Sequence, residues 1–322
     1  MRWGIVGTGM IAGVFADNLE HASGAVKQAV ASRDAAKSAA FASKHGIVSS
    51  HGSYPDLFAD PEVDAIYVAT PHTAHVDCVI AACQAGKHVL CEKPMAVTAA
   101  EAEQMRDAAT AAGVVLLEAF MYRCHPQTLR IMELIQSGAI GAVRAVRSCF
   151  TFGLGDDYNV RLDKALRGGG LYDVGCYCVN FSRLIAGSEP TTIASSAVIE
   201  DSTGVDIHLS ASLGFAAGVV ASFDCGIRTV GTASAEILGS DGRISIPSPW
   251  KPDADSATIT LHAKGKPSED IVIAKGGHIF ALEAEHLAAV VSGAGNPAID
   301  LSPEGSIANG HVLDTIWKQI HG

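Results

Sequence analysis

Four stretches of the chain bring together residue types that could do chemistry. The first is Gly7-Thr8-Gly9-Met10-Ile11-Ala12, which follows an apolar run at residues 2–6 and opens a helical stretch. Glycines in that setting allow a tight turn and let backbone N–H groups approach a pyrophosphate at the positive end of a helix. Gly7, Thr8, Gly9, Met10 and Ile11 are therefore expected to bind a dinucleotide; a ligand-free tight loop is the plain alternative. The second is Val30-Ala31-Ser32-Arg33-Asp34. An NAD site places an acidic residue there, about 20 residues beyond the glycines, to hold the ribose 2′-hydroxyl. A small hydroxyl followed by a guanidinium suits a 2′-phosphate instead. Ser32 and Arg33 thus point to NADP, with NAD possible if Asp34 takes the ribose and Arg33 is only a solvated side chain.

The third stretch is Cys91-Glu92-Lys93-Pro94, directly after a strand-like run at 87–91. Ligands of open α/β sheets bind beyond the carboxyl ends of the strands, so Glu92 and Lys93 are expected in the cofactor crevice; an exposed Glu–Lys pair worth little is the alternative. Thr70, His72 and His75 follow another strand-like run in the same way. Their H-x-x-H spacing hints at a metal, but no cysteine or acidic cluster stands at ligand spacing. No metal is expected, and the segment is read as lining the nicotinamide side of the crevice. The fourth is Gly168-Gly169-Gly170-Leu171-Tyr172-Asp173-Val174-Gly175-Cys176-Tyr177. Three glycines would leave free amides and room for a ligand, and Asp173 and Tyr177, four apart, share a helix face. Proton transfer by that pair stands level with a capping Asp and a core Tyr.

These residues need a scaffold. Apolar runs at 2–6, 26–32, 65–69, 87–91 and 114–117 alternate with helical stretches at 34–45, 73–85 and 98–112; Thr98 and Glu101 form a capping box. Non-alternating apolar strands imply a parallel sheet covered on both faces. The second half reads differently. After helical residues 125–137 and a strand at 142–152 come a helix at 171–186 and strands at 192–199, 205–215, 219–223, 233–238 and 257–261. The tail, 279–292 and 306–320, is helical again. The expected fold is α/β, an N-terminal doubly wound Rossmann domain (1–120) followed by an α+β substrate and oligomerisation domain (121–322) on a mostly antiparallel open sheet. The uncovered face of that sheet is expected to meet a partner subunit, giving a homodimer or homotetramer.

With 48% hydrophobic and 18% charged residues in 322, disorder is excluded. The 23 Lys+Arg against 34 Asp+Glu leave a net charge of −11 and no basic run, so no nucleic-acid partner is expected. No stretch approaches the roughly 18 apolar residues of a membrane span, so a soluble cytoplasmic protein is expected, its eight cysteines reduced.

In this order the four stretches, with Met121-Tyr122-Arg123-Cys124-His125-Pro126, resemble the Gfo/Idh/MocA oxidoreductase family over essentially the whole chain. Many members carry His at the position of Tyr177. The Tyr form resembles the branch that includes glucose–fructose oxidoreductase, dimeric dihydrodiol dehydrogenase and NADP-dependent xylose dehydrogenase. The resemblance implies a cis Lys93-Pro94 peptide that aims Lys93 at substrate. It also implies hydride transfer between nicotinamide C4 and a carbinol or carbonyl carbon of a sugar, polyol or diol. Tyr177 is then the acid/base, within about 3 Å of the substrate oxygen, aided by Lys93 and Asp173. Arg123, His125, Tyr158 and Arg161 are candidate substrate contacts, with structural roles equally open. A non-catalytic dinucleotide sensor and a glycosidase with retained dinucleotide are the competing readings.

Overall fold

The computed structural model describes residues 1–155, 157 and 159–322. Two compact units form. One comprises Met1–Cys124 with His278–Ile307, the other His125–Gly277 with Ala308–Gly322.

The first unit is built on six strands: β1 (Arg2–Val6), β2 (Val26–Ala31), β3 (Ser49–His51), β4 (Ala65–Val68), β5 (His88–Cys91) and β6 (Leu116–Glu118). All pairs are parallel, in the order β3-β2-β1-β4-β5-β6. Helices α1 (Met10–Asn18), α2 (Ala35–His45), α3 (Tyr54–Phe58), α4 (His75–Gln84) and α5 (Ala99–Ala112) supply the crossovers. Ile5, Val6, Val30, Ile66, Val68, Val89 and Leu90 are all fully buried, as strands covered on both faces require. The Thr98–Glu101 capping box starts α5, and Gly113 ends it in the left-handed region at φ +65°. Trp3, Phe15 and Tyr67 form an aromatic stack within the core.

The second unit carries α6 (Pro126–Gln136), β7 (Val143–Gly153), α7 (Cys176–Ala186) and the strands β8 (Pro190–Ile199), β9 (Asp206–Phe215), β10 (Val220–Gly226), β11 (Arg228–Gly239), β12 (Gly242–Ile246), β13 (Ser256–Ala263) and β14 (Glu269–Ala274). Its eight strands run β14-β13-β12-β11-β7-β10-β9-β8, antiparallel except for the β7–β10 pair. Helix α8 (Ile279–Val291) returns to the first unit, and α9 (Pro303–His321) ends the chain. One face of the second sheet buries Val146, Leu209, Leu213, Ala221, Ile237 and Ile244. On the other, Ser196, Ser210, Ser212, Ser222, Ser234 and Ser245, with Arg147, Asp224 and Glu236, line an open cavity of about 960 Å³. Hydroxyls and charges there can be satisfied by water. All eight cysteines are thiols, seven of them buried. No helix among the described residues is long and apolar enough to cross a membrane.

Candidate active site

In the first sheet, connections leave β1 and β4 in opposite directions, which opens a crevice beyond their carboxyl ends. Gly7 sits there at φ +102°, its N–H bonded to Ala31 O at 3.0 Å. A Cβ on Gly7 would fall 2.9 Å from Ala69 O, so the turn fits only glycine. Nothing lies within 4 Å of where a Gly9 Cβ would be, and no side chain caps the start of α1. Met10, the first residue of that helix, is 75% exposed, an unusual state for so large an apolar side chain. Open backbone at a bare helix N-terminus fits the pyrophosphate of a dinucleotide.

At the end of β2, Ser32 is buried and its Oγ accepts the Asp34 N–H at 3.3 Å. The Asp34 carboxylate is engaged as the N-cap of α2, accepting from Ala36 N at 2.9 Å and Lys37 N at 3.2 Å. The Asp34 carboxylate thus caps α2 through Oδ1, and Arg33 stands exposed one residue before it.

Beyond β5 the Lys93-Pro94 peptide is cis. Glu92 is buried; it accepts from the Tyr67 hydroxyl and, at 3.2 Å, from the Lys93 N–H. Glu118 is buried too and accepts the Met95 N–H at 2.7 Å. The expected cofactor contact from His75 does not arise at its ring nitrogens. They face Thr70 O at 2.9 Å, Pro94 O at 3.1 Å and Met95 O at 3.2 Å, in a ring that is 1% exposed. Burial holds its pKa below the ordinary range. His75 therefore ties the loop after β4 to the Lys93 turn. Thr70 and His72 lie partly exposed on that loop. Sequence reasoning passed over Glu118 and Glu283, although an acid inside an apolar run was a usable signal in both. Glu283, on α8, is fully buried with neither carboxylate oxygen bonded among the described residues. Burial, and then the Glu92 charge, push its pKa well up. Arg123 is buried in the short turn Met121–Cys124.

In the second unit two of the three glycine amides are engaged, Gly168 N donating to Asp163 O at 2.9 Å. Gly169 N donates to Arg161 O at 2.9 Å and Leu171 N to the buried Asp206 carboxylate at 2.7 Å. A Cβ at Gly168 would meet Arg161 O at 2.4 Å, so these glycines serve close packing of the backbone. Leu171–Gly175 is wound as a π turn before α7 begins. A plain helix had been expected; such turns recur at functional sites. Asp173 pairs with Arg161, Nε to Oδ2 at 2.7 Å. Tyr177 is 3% exposed, its ring 5.4 Å from Phe150 and 5.9 Å from Trp250. Trp250 Nε1 donates to Cys149 O at 2.9 Å, which fixes that wall. Asp173 and Arg161 are thus brought together, and Tyr177 stands four residues on, against Phe150 and Trp250. His125 is not with them: its Nδ1 caps α6 by accepting Gln127 N–H at 3.1 Å, and Gly276 packs on its ring. Burial lowers its pKa to about 4. Tyr158 lies outside the described residues. No group of three metal-ligating side chains occurs among the described residues.

A parallel sheet with a glycine turn and bare helix at its switch point, in a chain whose second unit carries the Asp173–Tyr177 segment, defines a dinucleotide-dependent oxidoreductase. The chain belongs to the Gfo/Idh/MocA family: residues 1–120 match its oxidoreductase domain with NAD-binding Rossmann fold, and residues 128–245 match its C-terminal domain. It is 38% identical over 264 residues to D-xylose 1-dehydrogenase (NADP(+)) 2 of Haloferax volcanii, spanning 82% of this chain and 81% of that one. It is 39% identical over 255 residues to trans-1,2-dihydrobenzene-1,2-diol dehydrogenase of Mus musculus, 78% and 76% of the two chains. The structure of a 3-ketoreductase from Actinomadura kijaniata, in complex with NADP and TDP-benzene, superposes with a TM-score of 0.90 at 26% identity, covering 99% of this chain and 98% of that one.

Proposed function

We propose that the protein is an NADP-dependent oxidoreductase acting on a carbinol or carbonyl carbon of a sugar, polyol or diol. The observation that carries this reading is the use of Asp34 to cap α2, beside Ser32 and an exposed Arg33, beyond the carboxyl end of β2 in a sheet whose glycine turn suits a pyrophosphate. The names of the relatives support it, since they couple NADP to xylose and describe a diol dehydrogenase.

When bound, the nicotinamide supplies the two-electron acceptor or donor. The remaining work falls to side chains. Ser32 and Arg33 hold the 2′-phosphate, and the Gly7–Ile11 turn holds the pyrophosphate. Tyr177 takes the proton of the reacting hydroxyl, or returns it in reduction. Lys93 donates a charged hydrogen bond to the substrate oxygen. Asp173, fixed by Arg161, orients the substrate. The Phe150 and Trp250 rings hold the phenol of Tyr177 in one orientation and exclude water from it. Among the substrate candidates Arg161 is favoured, through Asp173, over Arg123 and His125, which are buried in other tasks.

A second copy of the chain is the proposed partner of the open sheet face. Exposed Val198, Val220, Val230 and Val272 sit on its strands and support that contact, which sizing chromatography with light scattering would test. The eight thiols suit a reducing cytoplasm. The principal experiment measures NADPH formation with D-xylose, other aldoses, polyols and a trans-dihydrodiol, with NAD as control. NADP-dependent turnover of at least one is expected. Lys93→Ala is expected to abolish it while NADP still binds; undiminished turnover would remove Lys93 from the mechanism.

A further inference from the structure

Helix α9 carries three side chains for which the site as described has no task, and all three bear on the segment holding Tyr177. Asn309 is 1% exposed. Its Nδ2 donates to Cys176 O at 3.4 Å, and its Oδ1 accepts from Arg183 Nη1 at 3.3 Å, so the amide has a single orientation. Cys176 is where the π turn gives way to α7, and a π turn shifts the backbone hydrogen-bond frame by one residue. Asn309 thus partners a carbonyl at the frame shift, one residue before the phenol.

The other two act at the opposite end of the π turn. The Arg167 guanidinium lies over the Trp317 ring, its Cζ 3.7 Å from the centroid. Arg167 holds φ +55°, a conformation unfavourable to any residue with a side chain, immediately before Gly168. A cation held on an indole face is one way to maintain it. His321 packs on Trp317 with centroids 5.0 Å apart, and its Nε2 stands 3.9 Å from Asp206 Oδ1. Asp206 is the buried carboxylate that takes the Leu171 N–H.

We propose that Asn309, Trp317 and His321 are positioning residues for Tyr177: the C-terminal helix pins both ends of the π turn and so sets where the phenol stands. The proposal rests on the acid/base role given to Tyr177 above. A displacement of about 1 Å at a reacting group can cost about 100-fold in rate. The ring walls restrain the phenol's orientation, but its translation follows the turn, and the turn is held by α9.

The test uses the full-length protein with NADP and D-xylose, or the fastest substrate of the panel. Asn309→Ala and Trp317→Ala are each expected to lower kcat about 10- to 100-fold. The dissociation constant for NADP should stay within about twofold. The limb of the kcat–pH profile that vanishes in Tyr177→Phe should shift, and Trp317→Phe, which keeps an aromatic face, should restore most of the rate. If Trp317→Ala does not fold, Trp317→Leu keeps the apolar volume without the ring face and carries the same expectation. In a Tyr177→Phe background, either loss should shrink to under about twofold, because the group being positioned is gone. Unchanged kcat and pH profile in the Asn309 and Trp317 variants, beside a slowed but measurable Tyr177→Phe, would overturn this proposal alone. Losses that multiply in full in the Tyr177→Phe background would do the same. An undiminished kcat in Tyr177→Phe itself would overturn the acid/base reading and this proposal together.

Discussion

Replacing Arg33 by Ala separates the two ways of reading the end of β2. A charge-assisted bond from a guanidinium to phosphate is worth about 1.5–3 kcal/mol. At about 1.4 kcal/mol per tenfold, loss of that bond should lower kcat/KM for NADP about 10- to 150-fold and leave NAD nearly unaffected. Adding Ser32→Asp places a carboxylate where a 2′-phosphate is repelled and a ribose hydroxyl is accepted, so the double variant should prefer NAD. Because Arg33 is exposed, the change in stability should stay within about 0.5 kcal/mol. Asp34→Ala is the informative control. It removes the acceptor for the Ala36 and Lys37 amides and should cost about 1 kcal/mol of stability without moving the NADP/NAD ratio. Initial rates with both cofactors, beside thermal denaturation, read all of this. A ratio unmoved by Arg33→Ala but raised by Asp34→Ala would refute the reasoning and hand the ribose to Asp34.

Three further outcomes are expected. His75→Ala removes a buried ring packed against the carbonyls of Thr70, Pro94 and Met95, between the loop after β4 and the Lys93 turn, so kcat should fall at least tenfold and stability by about 2 kcal/mol; wild-type kcat would show that the Lys93 turn holds its shape without the ring. His125 stays neutral in the fold down to about pH 4, whereas an unfolded histidine takes its proton near 6.5. Stability should therefore drop as pH falls through that window, by about 3 kcal/mol in all. His125→Asn, which can still cap α6, should flatten that pH dependence, and an equal loss of unfolding free energy between pH 7 and 4.5 in wild type and variant, from urea titrations, would count against it. Glu283 has the opposite sign: its raised pKa favours the fold at acid pH and opposes it as pH rises past the ordinary carboxylate range. Glu283→Gln should raise Tm at pH 8 and leave it unchanged at pH 4, and a lower Tm at pH 8 would show that the ionised form is the native one.

The first sheet was legible because its strands are short, wholly apolar and separated by helices with proper caps. Thr98, Glu101 and Gly113 mark α5 to within a residue. β3 was missed because Ser49-Ser50-His51 carries no apolar signal and pairs only at the sheet edge. In the second unit β12 and β14 escaped notice for a related reason: Gly242–Ile246 and Glu269–Ala274 take their register from neighbours. The glycine turn, Lys93 and Tyr177 were readable as motifs. What surrounds them was not. The role of Gly168–Gly170 depends on Asp206, some 36 residues later, and Asp206 had no motif to announce it. His75 and Arg33 make the same point in opposite directions. Residue type nominated both for the cofactor, and only the burial of one and the exposure of the other tell them apart.

The strand of chain that carries α8 back to the first unit has a consequence for biosynthesis. Glu118 N–H bonds Leu301 O, and Phe280, Ala284 and Leu287 are buried in α8. Synthesis proceeds from the N-terminus, so a ribosome must deliver some 300 residues before the earliest-made unit can close. During that interval the apolar ground reserved for α8 stands open, and a nascent chain stalled near residue 200 is a natural client for a chaperone.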